Sequence, residues 1–489
     1  MTSPRITVAV APGDGIGPEI MDAVLRVFNA AQVPLRYDFV EMGRDIYLAG
    51  HSTGMTRKAK MSVEENGILF KGPLETPKGV GVKSINVTAR KVWSTYANKR
   101  VFRSLAGVDT VFSRANIPIN ITIIRENIED TYGGIEHALT YDVALCRRFI
   151  TRPGSLQLHR YAFEAARHKG AKKITCAHKA NIMKITDGIF LETFYQVAKD
   201  YPEIAANDII VDDLAMKLVA KPETFEVIVL PNFQGDIISD LCAGLVGGLG
   251  FAPSANIGDN ISIFEAVHGT APDIAGQNKA NPTALLLSGC MMLRHLRMGD
   301  YAATIENALL FALESGARTA DFGDPATSVL STKDFAQAII SSLGSKPTLT
   351  PLAEAGVSER NFQKPHKPLA HRMLRTGNPP SGDIMGADFF IESTKAPDEI
   401  GKEFTQLCAQ DYDVTTISNR GTQVWPEASL FTELIDQYRV RIERKPMTKV
   451  TQAEILQFAG KVAGAFKICS IEYLMAYGGK KGYSLAQGQ

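Results

Sequence analysis

The chain has 489 residues, long for one domain and enough for two or three, and 45% of them are apolar, which supplies substantial cores. Fifty-three basic side chains against 52 acidic ones argue against a nucleic-acid or membrane surface as its main business. Six scattered cysteines without Cys-x-x-Cys argue against a disulfide framework or a thiolate metal cluster; no leader-like start or membrane-length apolar run is present, so the expected compartment is the cytoplasm.

Residues 6–10 (Ile-Thr-Val-Ala-Val) read as a strand, Gly13-Asp-Gly15-Ile-Gly17 as a turn, and Pro18 as the opening of a helix reaching about residue 30, with Glu41 closing the next apolar run. This is close to a dinucleotide fingerprint, but the third glycine arrives one residue early, so the loop is not read as a Rossmann site. A series of polar groups follows: Ser84, Asn86, Arg90, Arg100, then Arg125-Glu-Asn-Ile-Glu-Asp-Thr-Tyr132. A strand at 173–176 precedes Lys179, and a helix is expected at 185–198. Asp212 ends the apolar run 209–211, read as a buried strand followed by its loop, where binding residues tend to lie. After a strand at 227–230, Asp236 and Asp240 stand at i and i+4 and share a helix face. A helix is expected at 283–297.

Each piece has an ordinary reading by itself: a solvated acidic face for Asp236 and Asp240, a turn acid for Asp212, packing or surface roles for Tyr132 and Lys179. The set reads differently. A guanidinium donates in a fork that matches the two oxygens of a carboxylate, so Arg90, Arg100 and Arg125 suit a small polyanion. Three aspartates, Asp212, Asp236 and Asp240, suit a hard cation.

From about residue 6 to about 343 the chain resembles the β-decarboxylating dehydrogenases, and among them the isocitrate dehydrogenases. The matching stretches are Pro12-Gly-Asp-Gly-Ile-Gly-Pro-Glu19, Ser84-x-Asn-x-x-x-Arg90, Arg125-Glu-Asn-x-Glu-Asp-x-Tyr132, His178-Lys-Ala-Asn-Ile-Met-Lys184, Asn232-x-x-Gly-Asp-x-x-Ser-Asp240 and His268-Gly-Thr-Ala-Pro-Asp-Ile-Ala-Gly276. The resemblance implies an α/β, isopropylmalate dehydrogenase-like fold of two non-Rossmann domains, residues 1–95 with 248–343 and residues 96–247, with the active site in the cleft. It implies oxidative decarboxylation of isocitrate to 2-oxoglutarate and CO₂, a tricarboxylic acid cycle reaction. A related malate-type acid (3-isopropylmalate, homoisocitrate or tartrate) is the alternative, opposed by Ser84 and Asn86, which would hold the extra carboxylate of isocitrate.

By the same resemblance Arg90, Arg100 and Arg125 bind the shared carboxylates, Asp212, Asp236 and Asp240 hold Mg²⁺ or Mn²⁺, Lys179 takes the hydroxyl proton and Tyr132 returns a proton to carbon. Lys179 and Asp212 would come from the partner subunit of a homodimer, or of a higher oligomer, with shared sites. The family's proline after the second arginine is replaced by Val101, which leaves Arg103 as an alternative to Arg100. His268, Gly269, Thr270, Ala271 and Pro272 would wrap the adenine side of the coenzyme, with Thr76, Glu265 and Asn281 as further contacts. At the next two positions NADP enzymes carry Lys-Tyr; here Asp273 and Ile274 stand, and Ala320 and Asp324 replace a tyrosine and an arginine, so NAD is the expected coenzyme and NADP the alternative.

Beyond residue 343 prolines at 347, 351, 365, 368, 379 and 380 mark a linker over 344–386. Residues 387–489 then read as a small α+β domain, present in some longer bacterial members: strand 388–392, helix 397–409, strand 412–418, a short strand 423–425, helix 428–437, strand 438–443, helix 451–463 and strand 466–475. A ferredoxin-like split βαβ is among the candidates. An assembly module and a small-molecule regulatory domain are its two readings.

Overall fold

The alternating apolar runs of the first 343 residues build one ten-stranded mixed sheet in the computed structural model, which describes residues 5–75, 84–322, 329–356, 365, 373–429, 431–446 and 448–485. In chain order the strands are β1 (Ile6–Ala11), β2 (Leu35–Phe39), β3 (Ile68–Lys71), β4 (Ala97–Arg103), β5 (Asn120–Glu126), β6 (Glu136–Ala138), β7 (Ala144–Cys146), β8 (Lys173–His178), β9 (Ala205–Ile210), β10 (Val227–Leu230), β11 (Pro253–Ile257) and β12 (Ser262–Ala266). Without the β6–β7 hairpin the order is β2-β1-β3-β12-β11-β4-β5-β10-β8-β9. The two flanks are parallel, and their inner strands are buried and read as continuous apolar runs, such as Val-Ile-Val-Leu in β10. The centre is antiparallel, β5 against β4, β4 against β11 and β11 against β12. The boundaries expected at 95 and 247 therefore fall across one sheet, since Ser254 of β11 pairs with Arg100 of β4.

Pairing in this centre decides what the site contains. Successive residues alternate faces, so Asn98, Arg100 and Phe102 of β4 share a face with their partners Arg125, Ile123 and Ile121 of β5. The helix Asn232–Leu245 packs on that face through Ile238, Cys242 and Ala243, against Phe102, Ile121 and Ile123. Gly235 lets it approach, because a Cβ there would lie 2.7 Å from Cγ of Arg125. The reading of Asp212 needs correction. β9 is a half-exposed edge strand, and a helix, Val211–Ala220, starts directly after it, so Asp212 lies in a first helical turn and not in a loop.

By contact the described residues form two units: residues up to 132, 150–181 and 187–374, and residues 133–149, 182–186 and from 375 on. The expected linker is fixed at its start, within the first unit. Glu314 accepts from the amides of Thr348 (2.7 Å), Leu349 (3.1 Å) and Thr350 (2.7 Å), and Asn307 pairs with the backbone of Ala353.

The second unit carries the C-terminal sheet: β13 (Gly382–Glu392), β14 (Tyr412–Asn419), β15 (Thr422–Trp425), β16 (Gln437–Arg444), β17 (Lys467–Tyr477) and β18 (Lys480–Lys481), in the order β15-β14-β16-β13-β17-β18. With helices Pro397–Cys408 and Gln452–Ala463 this is the ferredoxin-like βαββαβ arrangement, its first strand, β13, lying between β16 and β17. The helix expected at 428–437 is absent among the described residues. Its i, i+4 apolar spacing has nothing to pack on: Phe431 is 96% exposed, and Asn419 pairs with both the amide (3.1 Å) and the carbonyl (2.8 Å) of Ile435, competing with helical bonds. The core centres on Phe404, fully buried between Phe389 and Phe466. Phe404→Ala is expected to destabilise this unit by about 3–5 kcal/mol, read as an early transition in chemical denaturation.

Candidate active site

Arg125 at the end of β5 lies over the first turn of the helix Asn232–Leu245, donating from Nε (3.0 Å) and Nη2 (2.7 Å) to Asn232 Oδ1 and from Nη1 to Asp236 Oδ1. Arg100 reaches the same helix one turn on, donating to Ser239 Oγ (2.5 Å) and lying 3.4 Å from Asp236 and 3.5 Å from Asp240. Its Nε donates to Asn98 Oδ1 (2.7 Å), and Asn98 is fixed by Ser254 (2.7 Å) and Asn256 (2.9 Å) on β11. Tyr132 donates to Asp236 Oδ2 (2.5 Å), its ring 5.0 Å below the Arg125 guanidinium. Thus Arg100, Arg125, Tyr132, Asp236 and Asp240 form one cluster. Arg103, on the opposite face of β4 from Arg100, is paired with buried Glu306 and is not part of this cluster.

Arg90 joins from the helix Ile85–Val92, donating to Glu265 Oε1 (3.0 Å). Glu265 on β12 also binds Lys71 and Asn256, and Lys71 donates to Asn86 Oδ1 (2.9 Å). Burial works to raise the Glu265 carboxyl pKa, but Lys71 and Arg90 outweigh it and hold the group ionised. Ser84 caps this helix, accepting from the Val87 amide (3.4 Å). Asn86, Arg90, Arg100, Glu265, His268 and Gly269 line a narrow cleft of about 100 Å³. Burial, with Arg125 and Arg90 adding to it, draws the Arg100 pKa down to about 9.

His268 and Gly269 also line a second cavity, of about 560 Å³, with Ala271, Ile274, Asn281, Ala320 and Asp321. The N-terminal glycine turn supports it: a Cβ at Gly15 would lie 2.1 Å from the Thr270 carbonyl oxygen, and Ile16 N donates to that same oxygen (2.9 Å). Asp321 accepts from Asn281 (3.0 Å) and Thr319 (2.6 Å). Thr270, Pro272 and Asp273 border the cavity in sequence without lining it; Asp273 is exposed. Thr76 and Asp324 lie outside the described residues.

Lys179 stands apart from the arginines. Its Nζ donates to Asp212 (2.5 Å), and its amide donates to buried Asp187 (2.6 Å), which also accepts from Gln234 (3.1 Å). Among the described residues no three acidic, histidine or cysteine side chains converge into a metal site, so one chain offers Asp236 and Asp240 alone. These two fit a hard cation in donor type. The arginines, with the Tyr132 hydrogen bond, hold Asp236 below the usual carboxylate range against the opposing effect of burial, whereas burial raises Asp240. Lys71, Asn98, Asn232, Ser239 and Asn256 are site residues that the motif reading did not single out. Of these, Asn232 and Ser239 stand inside the stretch Asn232-x-x-Gly-Asp-x-x-Ser-Asp240 without a role assigned to them.

The chain matches the family model described as isocitrate/isopropylmalate dehydrogenase over residues 7–339, and that of the bacterial isocitrate dehydrogenase C-terminal domain over residues 383–489. It is 43% identical to a Thermus thermophilus isocitrate dehydrogenase named for NADP, over 99% of this chain and 96% of that protein. It is 46% identical to an Arabidopsis thaliana mitochondrial catalytic subunit named for NAD, over 68% of this chain and 87% of that protein. A crystal structure of a Thermus thermophilus protein superposes with a TM-score of 0.91 at 43% identity, covering 99% of this chain and 96% of the other. Isocitrate dehydrogenase from Methylococcus capsulatus gives 0.65, covering 69% of this chain and 99% of that one.

Proposed function

The chain belongs to the isocitrate/isopropylmalate dehydrogenase family, as an isocitrate dehydrogenase that decarboxylates isocitrate oxidatively with a nicotinamide coenzyme, and from that premise we propose that its coenzyme is NAD and its site is shared between two subunits. The observation that carries the substrate reading is the gathering of three buried or half-buried guanidiniums, with Arg90 and Arg100 lining a cleft that also contains Asn86 and Arg125 beside them. Arg90, Arg100 and Arg125 hold carboxylates in fork geometry, and Ser84 with Asn86 selects the third one. Lys179 accepts the proton of the C2 hydroxyl, and Tyr132 delivers a proton to C3 after CO₂ has left. Mg²⁺ or Mn²⁺ on Asp236 and Asp240, joined by Asp212 of a partner, would supply Lewis acidity for the developing enolate. Support for sharing comes from two adjacent helices with apolar faces turned outward: Met216 (60% exposed) and Val219 (55%) on one, Phe233 (49%) and Ile237 (56%) on the other.

The NAD reading rests on charge. Asp321 lines the larger cavity and Asp273 stands between its lining residues Ala271 and Ile274, while Lys279 is the one lysine or arginine among the described lining residues. A carboxylate accepts from ribose hydroxyls and repels a 2′-phosphate dianion. The names of the relatives divide, NADP for the Thermus and Rickettsia proteins and NAD for the plant subunit, so a direct assay decides. Isocitrate, 3-isopropylmalate, homoisocitrate and tartrate are each assayed with NAD and NADP in the presence of Mg²⁺. The expected result is turnover of isocitrate with a higher kcat/KM for NAD. Asp273→Lys with Ile274→Tyr should then shift the coenzyme ratio toward NADP by about 2–4 kcal/mol. A wild-type preference for NADP overturns the reading.

A further inference from the structure

The loop from Arg125 to Tyr132 is tied to the helix Asn232–Leu245 by a carboxylate that the chemistry itself does not call for. Asp130 has no exposed surface and so cannot touch substrate, and its backbone sits at φ 66°, a left-handed conformation that most residues with a Cβ avoid and that Asp adopts with its side chain hydrogen-bonded locally. Its Oδ2 accepts from the amide of Phe233 (3.0 Å) and its Oδ1 from the amide of Thr131 (2.8 Å). The helix has no side-chain cap of its own, since Pro231 precedes it, so Asp130 takes the cap's place from a hundred residues away and sets a negative charge against the positive end of the helix. Around it Asn232 Nδ2 donates to the Glu129 carbonyl (3.3 Å), and Glu126 folds the loop by accepting from the amides of Ile128 (2.8 Å) and Glu129 (2.9 Å). Phe233 and Asp236 stand three residues apart on one helix face, and Asp130 and Tyr132 two apart on the loop. Anchoring Asp130 at Phe233 therefore fixes where the phenol of Tyr132 meets Asp236.

We propose that Asp130 is a positioning residue for proton delivery: its buried carboxylate docks the loop on the helix and holds the Tyr132 hydroxyl at the reacting carbon. The inference rests on the reading of Tyr132 as the proton donor, and its test separates the two. Asp130→Asn keeps one of the two acceptor oxygens and tolerates a left-handed backbone; Asp130→Gly keeps the backbone and loses both acceptors; Asp130→Ala loses both acceptors and strains the backbone. Each full-length variant, with Tyr132→Phe beside it, is compared with wild type in two assays. One is deuterium incorporation at C3 of 2-oxoglutarate in D₂O with Mg²⁺ and reduced coenzyme. The other is kcat and KM for isocitrate, with the thermal midpoint monitored.

Asp130→Asn, with one acceptor left, should keep more of the exchange and of kcat than Asp130→Gly. Asp130→Gly should lose roughly 10–100-fold in exchange and in kcat, as a displaced proton donor does, with KM changed less than about threefold. Asp130→Ala should fall at least as far. Wild-type exchange in a folded Asp130→Gly, with exchange lost in Tyr132→Phe, overturns the positioning role. A loss in Asp130→Gly confined to KM or to thermal stability overturns it as well. Full exchange in Tyr132→Phe overturns the proton-donor reading and the proposal with it.

Discussion

Lys179→Met and Tyr132→Phe are each expected to lower kcat by roughly 10²-fold or more, as loss of a general acid–base group does, and a mixture of the two inactive proteins should regain activity. The reason lies in where the chain places Lys179. Lys179 is held at Asp212 and Asp187, and none of its hydrogen bonds reaches Arg100, Arg125, Tyr132 or Asp236. If the lysine serves a partner's cleft, a heterodimer of the two variants has one site with native Tyr132 from one subunit and native Lys179 from the other. Subunit exchange, followed by activity measured on heterodimers isolated with two different tags, reads this directly. Full inactivity of verified heterodimers would mean that each chain completes its own site. The two lesions should also fail at different steps: Lys179→Met before hydride transfer, Tyr132→Phe after CO₂ has left.

Much of this arrangement was visible in the residues, and the parts that were not share a cause. The strands at 6–10, 173–176 and 227–230 carry their own apolar runs and appear as β1, β8 and β10. Asp236 and Asp240 were legible as one helix face because i and i+4 fixes that geometry locally. Lys71, Asn98 and Asn256 were not legible, because their role depends on register between strands far apart in the chain: Asn98 meets Asn256 only through the antiparallel β4–β11 pairing. Asp130 was quoted inside a motif without a role, since a cap supplied from about a hundred residues away leaves no local pattern. The misread helix at 428–437 failed in the other direction. Its period is helical, but burial, which decides most helices, is missing there.

Arg125→Met is expected to reduce kcat/KM for isocitrate by roughly 10²–10⁴-fold, because two charge-assisted hydrogen bonds to a carboxylate, at about 1.5–3 kcal/mol each, are lost together. Arg125→Lys should recover only part. A lysine keeps the charge, but it has no fork, and it cannot match the Nε and Nη2 bonds to Asn232 that aim the guanidinium while Nη1 faces Asp236. The carboxylates of isocitrate that do not react are held equally before and during chemistry, so most of the loss should fall on KM, and kcat at saturating substrate should change less. Arg103→Met is the contrasting control. Arg103 is bound to Glu306, so its removal should lower the thermal midpoint and leave KM for isocitrate unchanged. A folded Arg125→Met enzyme with kcat/KM within about tenfold of wild type, or an Arg103→Met enzyme with a raised KM, would mean that the substrate carboxylates rest elsewhere than on the β4–β5 arginines.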